Sequence, residues 1–365
     1  MFTAPYALID QQALRQNLQV ARRRANGCRL LAVVKADAYG HGLSAVTQSL
    51  GEADAWGVAR LNEAIALREL GCRKPIVLLE GVNSKLELEQ VERLELELVV
   101  HCAHQLELLG GYKGNRKLDV WLKLNSGMSR LGFNENEFFS AWKSLQGIAW
   151  TNRPVGLMTH LAQADDRSSG VTQQQRKRFA RIVHELPGQR SIAASAGILA
   201  WPDCVEGQVR PGIMLYGVSP FADSLGIDLG LQPAMTFATS LIAVRTVKAG
   251  ESVGYGATWT ATSDTTVGVA AVGYGDGYPR SLGTGTPVML NGHRVRLVGR
   301  VSMDMITLDI STQPRARIGD PVTLWGAGLP VEEVANCANT LSYELLSGLT
   351  NRVARMQVQA ALSDR

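Results

Sequence analysis

The sequence predicts an α/β fold: a (β/α)8 TIM-like barrel followed by a mainly antiparallel β domain. Three observations predict it. Eight short apolar runs recur between residues 30 and 217, with helix-like stretches between most of them. Strands alternating with helices give a parallel sheet, and eight such units over roughly 200 residues give a closed barrel. After about Pro233 the rhythm stops, and β-branched, glycine-punctuated segments take over. The length of 365 residues exceeds one ordinary core and suits two domains of unequal size. We place these at 8–232 and 233–365, with residues 1–7 as a piece that could pack with the second.

The first element is an amphipathic helix after Asp10, with Leu14, Leu18, Ala21 and Ala25 on one face and Asp10 as N-cap. The runs after it are LLAVVKA (30–36), AWGVA (55–59), PIVLLEG (75–81) and LELVVH (96–101). Then come DVWLKLNS (119–126), VGLMTHLA (155–162), RSIAAS (190–195) and QVRPGIMLYG (208–217). The last two are short, and an open doubly wound sheet is the alternative to a barrel. In the second domain, Asn291-Gly292 between apolar runs signals a type I′ hairpin. One helix-like piece around VEEVANCANTLSYELL closes the chain.

Composition excludes several classes. Lys plus Arg exceeds Asp plus Glu by only 37 − 33 = 4, and no long basic block is present. The cluster Arg22-Arg23-Arg24 ends a helical pattern, where it complements the helix dipole, so no nucleic-acid partner is expected. Five dispersed cysteines form no Cys-x-x-Cys pair, and six scattered histidines form no His-x-x-x-His pair. Neither a disulfide framework nor a metal site is therefore expected. The start MFTAPYALIDQQALRQ lacks a basic n-region and an apolar h-region, and no apolar run approaches a membrane span. We expect a cytoplasmic protein.

Side chains at the C-terminal ends of barrel strands line the active site of this fold. That rule selects Lys35 after the first run, Arg130 just beyond the fifth, His160 on the sixth, Ser195 ending the seventh, and Arg210 with Gly212 on the eighth. An amine, two guanidiniums, an imidazole and a hydroxyl beside glycines suit an anionic, phosphate-bearing cofactor better than a metal, since few carboxylates join them. Lys35 reads as a Schiff-base lysine. Burial among Val33, Val34 and Ala36 would desolvate its ammonium and free the amine to attack carbonyls. The bland reading is a snorkelling strand-end lysine. Ser195-Ala196-Gly197 and Gly212-Ile213 could be tight turns, or could let backbone N–H groups approach a phosphate.

VVKADAYGHG (33–42) closely resembles the cofactor-lysine motif of the alanine racemase family, which uses pyridoxal 5′-phosphate. LKLNSGMSRLGF (122–133), MTHLAQAD (158–165), AASAG (193–197), VRPGIMLYG (209–217), GYGATW (254–259), GYGDGYPR (273–280), VSMDM (301–305) and SYE (342–344) resemble further family blocks in the expected order. The resemblance covers essentially the whole chain.

It implies that Lys35 carries the cofactor, and that Tyr39, Ser195, Tyr343 and the backbone at Gly212 and Ile213 bind its phosphate. Arg210 would face the pyridine nitrogen. A guanidinium cannot accept a hydrogen bond from a protonated ring nitrogen, so the nitrogen would stay neutral and the ring would be a milder electron sink. Lys35 would exchange the proton on one face of the substrate and Tyr255, from a second subunit, on the other. An ordinary tyrosine holds its proton up to pH about 10, so His160 and Arg210 would supply the neighbours that let it act. Arg130 would bind the substrate carboxylate and the cofactor phenolic oxygen, with Met303 of the second subunit adding a backbone contact. Tyr274, Tyr343, Leu341, Arg280, Arg300 and Asp165 would form a narrow access corridor that favours a methyl side chain, hence alanine. Asp304 reads as structural. Lys123 corresponds to a lysine that some relatives carbamylate to hold the arginine.

Two positions depart from the family: Asn125 stands where many relatives carry Asp, and Ala194 where many carry Asn. The resemblance thus implies a homodimeric isomerase that interconverts L- and D-alanine. A broad-specificity racemase, a decarboxylase on a similar architecture and a non-catalytic cofactor carrier are the competing readings. A decarboxylase should lack the GYGATW block, and a carrier should lack the second domain. The residues fit an enzyme that supplies D-alanine to peptidoglycan and equally one that consumes it.

Overall fold

In this computed structural model, which describes residues 4–359, the chain opens on strand β1 (Tyr6–Asp10). Asp10 ends the strand and caps the helix Gln11–Arg24, its Oδ1 accepting from the Gln12 and Ala13 N–H groups at 2.8 and 2.9 Å. Leu14, Leu18, Ala21 and Ala25 are buried, as the 3.6-residue period requires. The three arginines occupy the last turn, where Arg22 pairs with Asp54 at 2.6 Å.

Each of the eight apolar runs becomes one strand: β2 (Arg29–Val33), β3 (Ala55–Val58), β4 (Ile76–Leu78), β5 (Glu97–Val100), β6 (Val120–Lys123), β7 (Gly156–Met158), β8 (Arg190–Ser191) and β9 (Gln208–Val209). They pair in parallel in the order β8-β7-β6-β5-β4-β3-β2-β9. A parallel bridge between Ala194 and Arg210 joins the two ends, and the Arg210 N–H donates to Ala193 O at 2.8 Å. That closure excludes the open sheet. The wall strands are buried on both faces, which is why they read as unbroken apolar runs. β9 is short because Pro211 follows Arg210 and has no N–H to extend the ladder.

The second domain holds β10 (Met235–Val247), β11 (Ser252–Val253), β12 (Trp259–Thr260), β13 (Thr265–Ala270), β14 (Pro287–Leu290), β15 (His293–Val298), β16 (Ile306–Asp309), β17 (Pro321–Trp325) and β18 (Ala354–Val358). Its main sheet runs β13-β16-β15-β14-β17-β10-β1-β18, and β10 also pairs with β13. Six antiparallel strands therefore close on themselves, and β1 with β18, a parallel pair, extends them. By its pairing β1 belongs here, so residues 8–10, read as the start of the barrel domain, sit in the other sheet. Of residues 1–7, the first three lie outside the described residues.

Asn291 (φ 50°) and Gly292 (φ 78°) form the two-residue loop between β14 and β15, the left-handed pair that a type I′ turn needs. The tail piece is two helices, Val331–Cys337 and Ser342–Ser347, because Asn339 takes φ 52° between them.

Candidate active site

β2 ends at Val33, and beyond it the chain leaves the strand direction at once. Ala36, Asp37, Ala38 and Tyr39 have φ between 51° and 54°, one turn of left-handed helix built without glycine. Such a conformation costs about 1–2 kcal/mol per residue, so it persists only where the surroundings fix it. Gly40 (φ 77°) and Gly42 (φ 88°) lead the chain out, and a Cβ on Gly40 would collide with the Leu346 carbonyl. The turn corrects one expectation. Val33 and Val34 are buried, but Lys35 is exposed in the single chain. The strand direction is lost at residue 34, so no neighbouring strand walls in the lysine.

Tyr39, at the end of the turn, is buried. Its ring stacks on Tyr216 at 4.7 Å and tilts against Tyr343 at 6.1 Å. Burial pushes its phenol well above the ordinary range, so it is a neutral donor. Ser195 begins the helix Ser195–Ala200, and its Oγ accepts from the Gly212 N–H at 2.9 Å and the Met214 N–H at 3.3 Å. A Cβ on Gly212 would stand 2.6 Å from the Tyr39 hydroxyl. Tyr39, Ser195, Gly212, Ile213 and Tyr343 thus converge on one spot. Burial, with Asp165 nearby, pushes Tyr343 up to about 12.

Arg210 is 4% exposed. Nη1 donates to Ser191 Oγ at 2.5 Å, and Nη2 to Thr159 O at 2.7 Å, Ile192 O at 3.1 Å and His160 Nδ1 at 3.2 Å. All four partners are neutral. Burial draws the guanidinium down to about 10, so it stays charged near neutrality. Burial, then the cations Arg210, Lys123, Arg130 and Lys35, hold His160 well below its ordinary range. His160 is therefore neutral. With Nδ1 accepting from Arg210, its proton sits on Nε2.

Lys123, Asn125, Ser126, Met128, Arg130 and His160 line one small cleft at the ends of β6 and β7. Burial, then Arg210, Arg130 and Lys35, lower Lys123 to about 8. Arg130 itself is exposed. Asn125 Oδ1 accepts from the Gly127 and Ser129 N–H groups at 3.1 and 2.9 Å. An amide oxygen serves that turn as well as a carboxylate would, which accounts for the Asn at this position. A charged cavity of about 450 Å³ lies at the opposite end of the barrel, where β5 and β6 begin. No strand-end candidate reaches it.

The remaining candidates form a second group. Tyr255, 71% exposed, sits on the turn joining β11 to β12, and Gly256 beside it faces the Arg300 guanidinium. The loops of Tyr274 and Met303 are zipped together: Tyr274 N–H donates to Ser302 O at 3.0 Å and Gly275 N–H to Met303 O at 2.9 Å. Arg352 pins them, reaching Asp304 at 2.7 Å and the buried Asp276 at 3.1 Å. Asp304 is thus a structural anchor. Met303 is 52% and Leu341 68% exposed, and Arg280 is exposed too. Among the described residues no hydrogen bond joins Tyr255 to Lys35.

Family models for the N-terminal and C-terminal domains of alanine racemase match residues 9–220 and 234–357. The chain belongs to the alanine racemase family. It is 50% identical to alanine racemase of Yersinia pestis over 351 residues, 96% of this chain and 98% of that one. It is 48% identical to the biosynthetic alanine racemase of Escherichia coli O6:H1, covering 97% of this chain and 99% of that one. The crystal structure of biosynthetic alanine racemase from Pseudomonas aeruginosa superposes with a TM-score of 0.94 at 45% identity, covering 97% and 99% of the two chains.

The barrel mouth fits the pyridoxal phosphate that alanine racemases use. A Cβ at Gly212 would press on the Tyr39 hydroxyl, so glycine lets that hydroxyl and the helix-start Ser195 sit together, a set of groups whose chemistry suits a phosphate. Arg210 offers charge with no carboxylate partner. Sequence reasoning missed Thr159 and Ser191, which hold Arg210, although Thr159 lies within the MTHLAQAD block. It also missed Tyr216, which stacks on Tyr39 and lies within the VRPGIMLYG block.

Proposed function

We propose that the chain interconverts L- and D-alanine with pyridoxal 5′-phosphate in the barrel mouth, acting as a cytoplasmic homodimer with shared sites. The observation that carries this reading is the buried Arg210 with only neutral partners, beside the Tyr39–Ser195–Gly212 cradle. Family membership and near-full-length relatives named alanine racemase support the substrate.

When bound, the cofactor supplies a conjugated ring that spreads the electron pair left as the substrate Cα loses its proton. Tyr39, Ser195, Tyr343 and the backbone at Gly212 and Ile213 would hold the phosphate, with the Gly212 N–H, which donates to Ser195 Oγ in the single chain, turning to it. Arg210 would face the pyridine nitrogen; a guanidinium only donates hydrogen bonds, so it would pair with the unprotonated nitrogen and keep the sink mild and side reactions low. Arg130 holds the substrate carboxylate, with the Met303 backbone of the partner subunit beside it. Lys35 carries the cofactor, and its Nζ moves the proton for the D-substrate. The phenolic oxygen of Tyr255, from the partner subunit, moves it for the L-substrate. Neutral His160, whose Nε2–H is left free by the Arg210 contact at Nδ1, would donate to that oxygen.

The second-subunit role is supported by exposure. Tyr255, Tyr274, Met303, Met305 and Leu341 are all large apolar side chains left in water by the single chain. A partner covering them would bring Tyr255 to a barrel mouth and desolvate Lys35. Tyr274, Tyr343, Leu341, Arg280, Arg300 and Asp165 would then narrow the approach to a size that suits a methyl group. The biosynthetic relatives favour supply of D-alanine for peptidoglycan.

The test is deuterium incorporation at Cα from L- and D-alanine in heavy water, followed by chiral analysis. Exchange with inversion from both enantiomers is expected. Exchange without inversion, or release of CO2, would overturn the reading.

A further inference from the structure

We propose that Glu63 and Arg355 are positioning residues that hold the left-handed turn of residues 36–39 from its two ends, and so fix the Lys35 amine relative to the Tyr39 hydroxyl. The inference rests on the reading of Lys35 as the cofactor lysine.

The turn satisfies its own middle. Ala38 N–H donates to Val34 O at 2.9 Å, Gly40 N–H to Ala36 O at 3.0 Å, His41 N–H to Ala38 O at 3.1 Å and Gly42 N–H to Asp37 O at 3.0 Å. The groups at its two ends, the Ala36 N–H and the Gly40 carbonyl, are met from elsewhere. Glu63 Oε1 accepts from Ala36 N–H at 2.6 Å, while Oε2 accepts from Ala59 and Arg60 N–H at 2.8 and 3.1 Å. One carboxylate therefore ties the start of the turn to the end of β3. At the exit, Arg355 Nε donates to Gly40 O at 3.0 Å. Its other donors reach Thr350 O at 3.2 Å, Val353 O at 3.0 Å and Leu349 O at 3.1 Å. The guanidinium is thus fixed in direction by four carbonyls and carries the hold across from β18 of the second domain.

A run of non-glycine residues at positive φ has a downhill alternative in the right-handed region. Relaxation there would rotate residue 35 against residue 39, although neither Glu63 nor Arg355 would touch the reacting atoms. Charge-assisted hydrogen bonds at the two end groups are the strong kind that can oppose it. Glu63→Gln keeps the size of the side chain but leaves one acceptor oxygen for three N–H groups.

The experiment uses full-length holoenzyme of wild type, Glu63→Gln, Arg355→Ala and Arg355→Lys, each also in a Tyr39→Phe background. Equilibrium dialysis gives the dissociation constant for pyridoxal phosphate. We expect it to rise at least about fivefold in Glu63→Gln and in an Arg355 variant, and that rise to shrink by at least about half when the Tyr39 hydroxyl is gone, the signature of coupled residues. A smaller rise, or one undiminished by Tyr39→Phe, would overturn the proposal. Arg355→Lys serves if Arg355→Ala does not fold. Lys35→Ala is the control: if it keeps the absorbance of the lysine–cofactor linkage, the reading of Lys35 itself falls. If it loses that absorbance while the clamp variants bind normally, only the clamp falls.

Discussion

Gly212 and Tyr39 leave no room between them: a Cβ on the glycine would stand 2.6 Å from the tyrosine hydroxyl. Real Cβ contacts do not come so close, so Gly212→Ala must push the Tyr39 hydroxyl out of the phosphate cradle. We expect cofactor affinity to fall on the order of tenfold, about 1.4 kcal/mol, with cooperative unfolding retained. Dialysis against pyridoxal phosphate checks it, and unchanged affinity would remove the cradle from the account.

Lys35 and Tyr255 are expected to serve the same reaction from different chains. Lys35→Ala and Tyr255→Phe should each lower racemisation by about a hundredfold or more while the chain still folds. Co-refolding the two inactive variants creates heterodimers with one intact site. Random pairing then restores about a quarter of wild-type activity. A mixture that stays inactive would show that each site is built from a single chain.

Lys123 is lowered to about 8 by burial first and by Arg210, Arg130 and Lys35 next. A base with a lowered pKa is neutral at lower pH, so half of Lys123 is a free amine near pH 8, where ordinary lysines stay charged. Cyanate labelling followed by peptide mass mapping should show Lys123 reacting half-maximally near pH 8, with surface lysines lagging by about two units. The same neutral amine is what CO2 would need to form a carbamate there. Equal pH profiles for Lys123 and surface lysines would contradict this.

His41 is wholly buried beside Tyr216 at 4.6 Å, its Nδ1 bonded to Tyr39 O at 2.9 Å, and burial lowers it to about 4. Its folded pKa lies below the unfolded value of 6.5, so the unfolded chain binds more protons between pH 6.5 and 4. Stability contributed by the neutral ring is whole above 6.5 and is lost as pH falls toward 4, on the order of 3 kcal/mol. Urea midpoints of His41→Asn should therefore fall less steeply than those of wild type across that window. Parallel slopes would count against it.

Much of the candidate site was legible because barrel chemistry sits at strand ends, and strand ends follow from apolar runs. Lys35, Arg130, His160, Ser195, Arg210 and Gly212 came from that rule before any family was considered. Arg210 could be placed on a strand, but its neutral surroundings could not, since Thr159 and Ser191 lie 51 and 19 residues away. The exposure of Lys35 went against expectation because the φ values of the next four residues depart from what Ala, Asp and Tyr ordinarily adopt.

By itself the sequence determined the two-domain plan, the eight barrel strands and the motifs of the family, all of which rest on local periodicity and local turn chemistry. The tertiary structure alone decided how Lys35 is presented. Its left-handed turn is held by groups 27 and 315 positions away along the chain. A strained backbone is stable only through such distant contacts, and these exist only once the barrel and the second domain have folded together.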